Sequence, residues 1–257
     1  MNKKLRTILC VLVIVGVGCV TVWRSCVDLR NGDAREEVTE EGHADKGYAD
    51  EGQADSADAS VLTNRDNVVT VRCETGSGNG VLLCQTEKRY VIATAGHVVD
   101  GLQGKPEDEL QMEIAGLEVR ASKLWVSDIY DVAFIEVPMT EIEEVLKEKH
   151  FTGLSEEGFT NLKEGDRLYV RSYLKGELTT LEITVNSPWI LVEDFGYHMI
   201  WASAKDAKGG MSGSGVFDLK GHLAGILCGG NDTEVAVLPV NIILGELKNS
   251  SIDISFD

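Results

Sequence analysis

From residue 61 onward the chain is a succession of short β-branched, aliphatic and aromatic runs, broken by turns rich in Gly or charge. They are Val68–Cys73, Val81–Gln85, Tyr90–Thr94, Gln111–Ile114, Val132–Val137, Arg167–Tyr173, Leu178–Val185, Trp189–Val192, Val216–Asp218, Leu223–Leu227 and Val235–Leu238. Runs this short, bounded by turn residues, read as strands and not as core helices. Their even recurrence is the pattern of an antiparallel barrel or sandwich. Two segments break it. Thr140-x-x-Glu143 reads as a capping box opening a short helix with Ile142, Val145 and Leu146 on its apolar stripe, a connection between two β halves. Ile242, Ile243, Leu244 and Leu247 read as a second helix at the C-terminus. Residues 151–165 show no clear period.

Charge divides the chain into three parts. Residues 1–30 carry a net +4, and Thr7 to Trp23 is a 17-residue uncharged run of mostly Val, Ile and Leu. At about 1.5 Å per residue this run is just long enough for a bilayer core and has no polar face. Its basic flank predicts a cytoplasmic N-terminus with the rest outside. No Ala precedes Ala34, so the A-x-A-like site of a cleavable signal peptide is missing and an uncleaved signal anchor is expected. Gly16-Val17-Gly18-Cys19 loosely resembles a bacterial lipoprotein box but lacks the usual Leu three residues before the Cys. Residues 31–60 carry a net −8 and a tandem pentapeptide, Glu41-Gly-His-Ala-Asp, Lys46-Gly-Tyr-Ala-Asp and Glu51-Gly-Gln-Ala-Asp. With so little apolar material this segment cannot build a core and reads as an acidic tether. Residues 61–257 remain as the folded unit.

The whole chain has a formal charge of −18, which repels phosphate backbones and argues against nucleic acid as a partner. Six Cys show no C-x-x-C pairing, and neither metal-ligand spacing nor a phosphate-binding loop is present, so no metal or cofactor is expected. Cys10 and Cys19 lie in the apolar segment, whereas Cys73 and Cys84 flank the Gly-rich hairpin and face each other if its strands are in register.

Three local patterns carry chemistry. Tyr90-Val-Ile-Ala-Thr-Ala-Gly-His97-Val-Val delivers a His at the end of an apolar strand. Asp131-Val-Ala-Phe-Ile-Glu-Val sets an Asp before a buried strand, and Gly209-Gly-Met-Ser212-Gly-Ser-Gly-Val-Phe sets a Ser among glycines. In that order these motifs resemble the chymotrypsin-like (trypsin-fold) serine peptidases, nearest to the bacterial HtrA-type branch. Gly76-Ser-Gly-Asn-Gly-Val-Leu-Leu is similar to the hairpin before the histidine strand, and Leu223-Ala-Gly-Ile-Leu-Cys-Gly-Gly to the strand bordering the substrate cleft. The resemblance spans about residues 66–248. It implies an all-β fold of two antiparallel six-stranded barrels with the triad between them. Together with the N-terminal transmembrane helix, it predicts a membrane-anchored extracytoplasmic serine endopeptidase acting on proteins or peptides. Only 45 residues follow Ser212, so no C-terminal PDZ module is expected. Self-association is implied by the resemblance, though no residue marks an interface.

The chemistry needs these residue types. A neutral Ser212 hydroxyl is a poor nucleophile without a base, and His97 suits that task near neutral pH. Asp131 would orient the imidazole and stabilise the imidazolium. By resemblance, the backbone N–H groups of Gly210 and Ser212 form the oxyanion hole, and Asp206, Cys228 and Gly229 border the substrate. An acidic Asp206 at the base of a specificity pocket would select Arg or Lys; a solvated Asp on a loop is the plainer reading. Ser214 is the alternative nucleophile, and Asp100 and Asp128 are alternatives to Asp131. His198 and His222 read as structural or solvated. Met211 stands where the family usually has Asp or Asn, which leaves open an inert binding or scaffold protein with a peptidase fold. A non-proteolytic acyl hydrolase fits less well, because a β-like run follows Ser212 where an α/β-hydrolase elbow needs a helix.

Overall fold

The computed structural model describes residues 67–252 and 254. The strands of the N-terminal half are β1 (Val68–Arg72), β2 (Ser77–Gln85), β3 (Arg89–Thr94), β4 (Gln111–Ile114), β5 (Leu117–Arg120), β6 (Lys123–Val126) and β7 (Ala133–Pro138). The C-terminal half contains β8 (Arg167–Leu174), β9 (Glu177–Val192), β10 (Tyr197–Ala204), β11 (Gly215–Phe217), β12 (Leu223–Gly230) and β13 (Glu234–Pro239). Helices α1 (Met139–Leu146) and α2 (Glu157–Thr160) lie between the halves, and α3 (Val240–Asn249) follows the last strand.

The expectation of two closed six-stranded barrels is corrected. Only the C-terminal half closes, in the order β10-β13-β12-β11-β8-β9, while the N-terminal half is an open seven-stranded sheet ordered β5-β4-β1-β2-β3-β7-β6. The reason lies at Ala121–Ser122, the two residues that join β5 to β6. Ala121 N–H donates to Leu110 O beside β4, and Ser122 N–H donates to Glu136 O in β7. The chain therefore crosses from one edge of the sheet to the other in a single corner. That corner curls the sheet without laying a ladder between its edge strands.

Local chemistry explains most element boundaries. Ala115 (φ 52) and Gly116 (φ 84) form the two-residue turn between β4 and β5, and Lys175 (φ 51) and Gly176 (φ 85) form the one between β8 and β9. Positive φ at both central positions is the turn whose twist matches paired strands. The capping-box expectation fails: α1 begins at Met139 behind an N-cap Pro138 that makes no side-chain cap bond. Proline at that boundary already fixes φ for helix entry.

Three apolar clusters hold the fold. One lies within the N-terminal sheet around Val69, Leu82, Ile92 and Ile135, and another fills the closed barrel around Leu168, Val170, Val216 and Val237. The third joins the two halves, with Val81, Leu83 and Phe134 of the first packed with Phe217, Ile226, Leu238 and Ile243 of the second. The halves therefore share a core, which makes the crevice between them a fixed surface.

Among the described residues no helix is long and apolar enough to cross a membrane. The expected transmembrane helix, and the membrane-anchored extracytoplasmic placement that depended on it, therefore find no support in the structure and are not carried further. Residues 1–30, where that helix was expected, and the expected tether at 31–60 lie outside the described residues.

The three cysteines among the described residues are free thiols. Cys73 lies just past the β1 end where Arg72 pairs with Ser77, whereas Cys84 lies at the far end of β2 beside Val91, so the two do not face each other. Burial raises the Cys84 thiol from 9.0 to about 11. A folded-state pKa above the unfolded one gives stability that is fully present below pH 9 and is lost as pH rises towards 11. Thermal unfolding between pH 8 and 12 is expected to show a decline that is shallower in Cys84→Ala. An identical slope in both proteins would remove Cys84 as its source.

Candidate active site

Strand register brings the first two motifs together. β3 runs beside β7 with Thr94 opposite Ala133, so the residues just after β3 meet those just before β7. Past Thr94 the chain makes one 3-10 turn, Gly96–Val98, which swings His97 onto Asp131. Asp131 Oδ1 accepts the His97 backbone N–H at 2.9 Å, and Oδ2 lies 2.8 Å from His97 Nδ1. An ionised carboxylate only accepts, so the proton sits on Nδ1 and the neutral ring carries its lone pair on Nε2.

Asp131 is itself held from behind. Its N–H donates to the Tyr197 hydroxyl at 2.8 Å, and the Cys228 thiol points at its carbonyl oxygen at 3.5 Å. Burial raises both the Tyr197 phenol and the Cys228 thiol above their ordinary values, and the Asp131 charge adds to each shift. Both groups stay neutral at physiological pH, so neither sets a negative charge against Asp131.

The loop that carries Ser212 is tied to both halves. Gly213 N–H donates to Leu227 O and Leu227 N–H to Ser214 O, which fastens the loop along β12. Ser212 O accepts from Asn79 N–H of β2 at 2.7 Å. A Cβ on Gly78 would lie 2.5 Å from Ser212 O and 2.8 Å from Val98 Cγ2, so the loop and the residue after His97 approach the same glycine. Gly213 (φ 79) is required on two counts, since a Cβ there would stand 2.0 Å from Asn79 O and 2.5 Å from Thr94 Oγ1. Gly210 also takes a left-handed conformation, φ 89. Among the described residues no group accepts from the Gly210 or Ser212 N–H.

The rivals separate by burial and contact. Ser214 is fully buried, whereas Ser212 is half-buried. Asp131 holds His97 through two bonds, while Asp100 and Asp128 sit exposed on the rim of the cleft. His198 stacks on Trp189 with centroids 5.2 Å apart, and His222 bridges Asp218 and Glu157. Met211, only 2% exposed, is packed into the closed barrel with Leu168 and Val216, an apolar anchor where the family usually carries a polar residue. Asp206 is exposed in a left-handed turn, φ 67, and does not line the cleft.

The cleft beside His97 and Asp131 has a volume of about 300 Å³. Cys228 and Gly229 line it with Asp100, Asp128, Ile129, Phe195 and Asp194. Sequence reading missed Tyr197, the Asp194–Phe195 tip between β9 and β10, and Asn79. Only Asn79 left a signal, as an amide set between two glycines ahead of the apolar run Val81–Cys84.

Residues 76–226 match the family described as trypsin-like peptidase domain. No curated protein matches the chain significantly. Similar solved structures include the Rv3671c protease in its inactive form, at 20% identity and TM-score 0.54, covering 80% of this chain and 100% of that one. The active form of the Rv3671c protease from M. tuberculosis matches at 18% identity and TM-score 0.55, covering 86% and 97%. The HtrA-type protease AlgW with decapeptide matches at 15% identity and TM-score 0.56, covering 75% and 66%. At such identities the likeness establishes the fold, and no PDZ module occurs among the described residues. The family match spans more than half of the chain, which therefore belongs to the trypsin-like peptidase domain family as a serine endopeptidase similar to HtrA-type and Rv3671c proteases.

Proposed function

We propose that the chain cleaves peptide bonds through an acyl-enzyme formed on Ser212, with His97 as general base and Asp131 as the carboxylate that orients it. The observation that carries this reading is the double hold of Asp131 on His97, which fixes both the backbone and the ring. His97 Nε2 takes the Ser212 proton as Oγ attacks the scissile carbonyl carbon, and the developing oxyanion is received by the N–H groups of Gly210 and Ser212. The imidazolium then gives its proton to the leaving amine. A water attacks the ester by the same route in reverse, and Ser212 is regenerated. Met211 supplies no reacting group; its side chain anchors the loop to the barrel core.

A fluorophosphonate reagent is expected to label the wild-type protein and Ser214→Ala but not Ser212→Ala. Failure to label a folded sample between pH 6 and 9 would favour the inert scaffold instead.

The cleft lining points to the substrate side chain. Asp100, Asp128 and Asp194 line it with the apolar surfaces of Ile129 and Phe195, and no Lys or Arg is among the lining residues. An aliphatic stem with a cationic head, as in Lys or Arg, suits that combination. Peptide profiling is expected to show enrichment of basic residues on the acyl side of the cut. Asp128→Asn and Asp194→Asn should each weaken that preference by about fivefold at most, the worth of one exposed charge pair, and less at high salt. Asp206→Asn should leave the profile unchanged. A profile indifferent to substrate charge would remove this assignment.

A further inference from the structure

The loop that carries Ser212 is held only in part by its own turns, in which Met211 N–H donates to Lys208 O and Ser214 N–H to Met211 O. Lys208-Gly209-Gly210 puts two glycines in succession just before Met211 and Ser212, and Gly210 sits at φ 89. Glycine explores both signs of φ readily, so local sequence leaves the peptide planes here nearly free to rotate. Catalysis requires them to be fixed, because an oxyanion hole works only when its donors already point at the place where charge develops.

We infer that Asn79 is the positioning residue that latches this loop. Asn79 is fully buried in β2, at 0% exposure, yet every polar group it carries is used. Its Nδ2 donates to Gly210 O at 2.8 Å, to Ser172 Oγ at 3.1 Å and, more weakly, to Tyr173 O at 3.4 Å. Its Oδ1 accepts the Tyr173 N–H at 2.7 Å. Its own N–H donates to Ser212 O, and its carbonyl accepts from Thr94 Oγ1 at 2.7 Å. One side chain thus fixes the carbonyl of Gly210, while its backbone fixes the carbonyl of Ser212, two residues on. The Ser212 N–H lies on the peptide plane between these two, whose Met211 O accepts from Ser214 N–H, so Asn79 sets the planes on either side of that donor. Through Thr94 the same residue is joined to the end of β3, three residues before His97. Through Ser172 and Tyr173 it is joined to β8.

A buried amide this well satisfied also ties the two halves together, so the test has to separate the loop from the tie. Asn79→Asp does so. The carboxylate still accepts from Tyr173 N–H, and Ser172 Oγ can donate to its other oxygen, which preserves the tie to β8. It has no donor for Gly210 O and repels that carbonyl. Ser172→Ala is the converse, loosening the tie while leaving the Gly210 bond.

The inference rests on Ser212 being the nucleophile, which the loss of fluorophosphonate titration in Ser212→Ala establishes separately on the same samples. Per titrated active site, Asn79→Asp is expected to lower kcat about 100-fold, the usual effect of a misplaced oxyanion donor, with KM within threefold of wild type. Affinity for a peptide boronate, which mimics the tetrahedral intermediate, should fall in parallel. Asn79→Ala should also lower kcat with little change in KM, and serves where the Asp variant does not fold. Ser172→Ala should keep kcat within threefold of wild type. The latch is overturned if Asn79→Asp or Asn79→Ala turns over within threefold of wild type, or if Ser172→Ala loses as much as they do.

Discussion

Ser212→Ala and His97→Ala are each expected to lower kcat by about four to six orders of magnitude, and the double variant to be no slower than the worse single. The reason is that a hydroxyl and its base form one device. In the proposed relay, Ser212 has no base without His97, and the imidazole has no proton to take without Ser212. Removing the second partner from a dead device costs nothing more. KM is expected to change only a few-fold, because neither group holds the peptide in its ground state. The residual rate over water would come from the oxyanion donors and the bound geometry. Steady-state kinetics on titrated samples check this. Losses that add in the double variant would mean the two residues act independently, and a Ser212→Ala protein with more than a hundredth of wild-type activity would end the assignment. Ser214 is a poor substitute nucleophile, being sealed beneath the loop with its hydroxyl buried.

Asp131→Asn is the second large effect, a loss of about 10⁴ in kcat with the fold intact. The two side chains have nearly the same volume, and the amide oxygen still accepts the His97 backbone N–H. The amide nitrogen, however, donates where the carboxylate accepted, opposite His97 Nδ1. The ring answers by moving its proton to Nε2, the atom that should receive the Ser212 proton. The bond to the Tyr197 hydroxyl and the thiol contact with the Asp131 carbonyl are made by the Asp131 backbone, so they survive the change. Kinetics, with nitrogen NMR of the imidazole to read the tautomer, would test the pair of claims together. A loss below tenfold would show that Asp131 does not set the state of His97.

Much of the fold was legible along the chain, and the misses have definite causes. β1, β2, β3, β4, β7, β8, β11, β12 and β13 all stand within a few residues of their apolar runs. β5 and β6 were invisible because they are four residues each, with little buried surface to impose an alternating pattern. β10 was missed because Tyr197–Ala204 mixes a His, a Trp and small residues in place of an aliphatic run. The runs at Leu178 and Trp189 are one continuous strand, β9, since Ser187 and Pro188 sit at a register shift opposite Trp201 without ending the ladder. The facing of Cys73 and Cys84 and the capping box were both inferences from spacing: the two cysteines lie at different levels of the sheet, and Pro138 took the cap position.

The sequence by itself determined which chemistry was available. A His at a strand end, an Asp before a buried strand and a Ser among glycines can be read because residue type and neighbouring pattern are properties of the chain. Only the tertiary structure separates the rivals by contact and burial. Ser212 differs from Ser214 by burial, Asp131 from Asp100 and Asp128 by the pairing of β3 with β7, and Asp206 is exposed and does not line the cleft beside His97. Barrel closure and the reach of Asn79 across 131 positions to Gly210 were settled in the same way. Periodicity and turn chemistry act over a few residues. Distance between remote side chains is set by register and packing, and those come into being only when the whole core assembles.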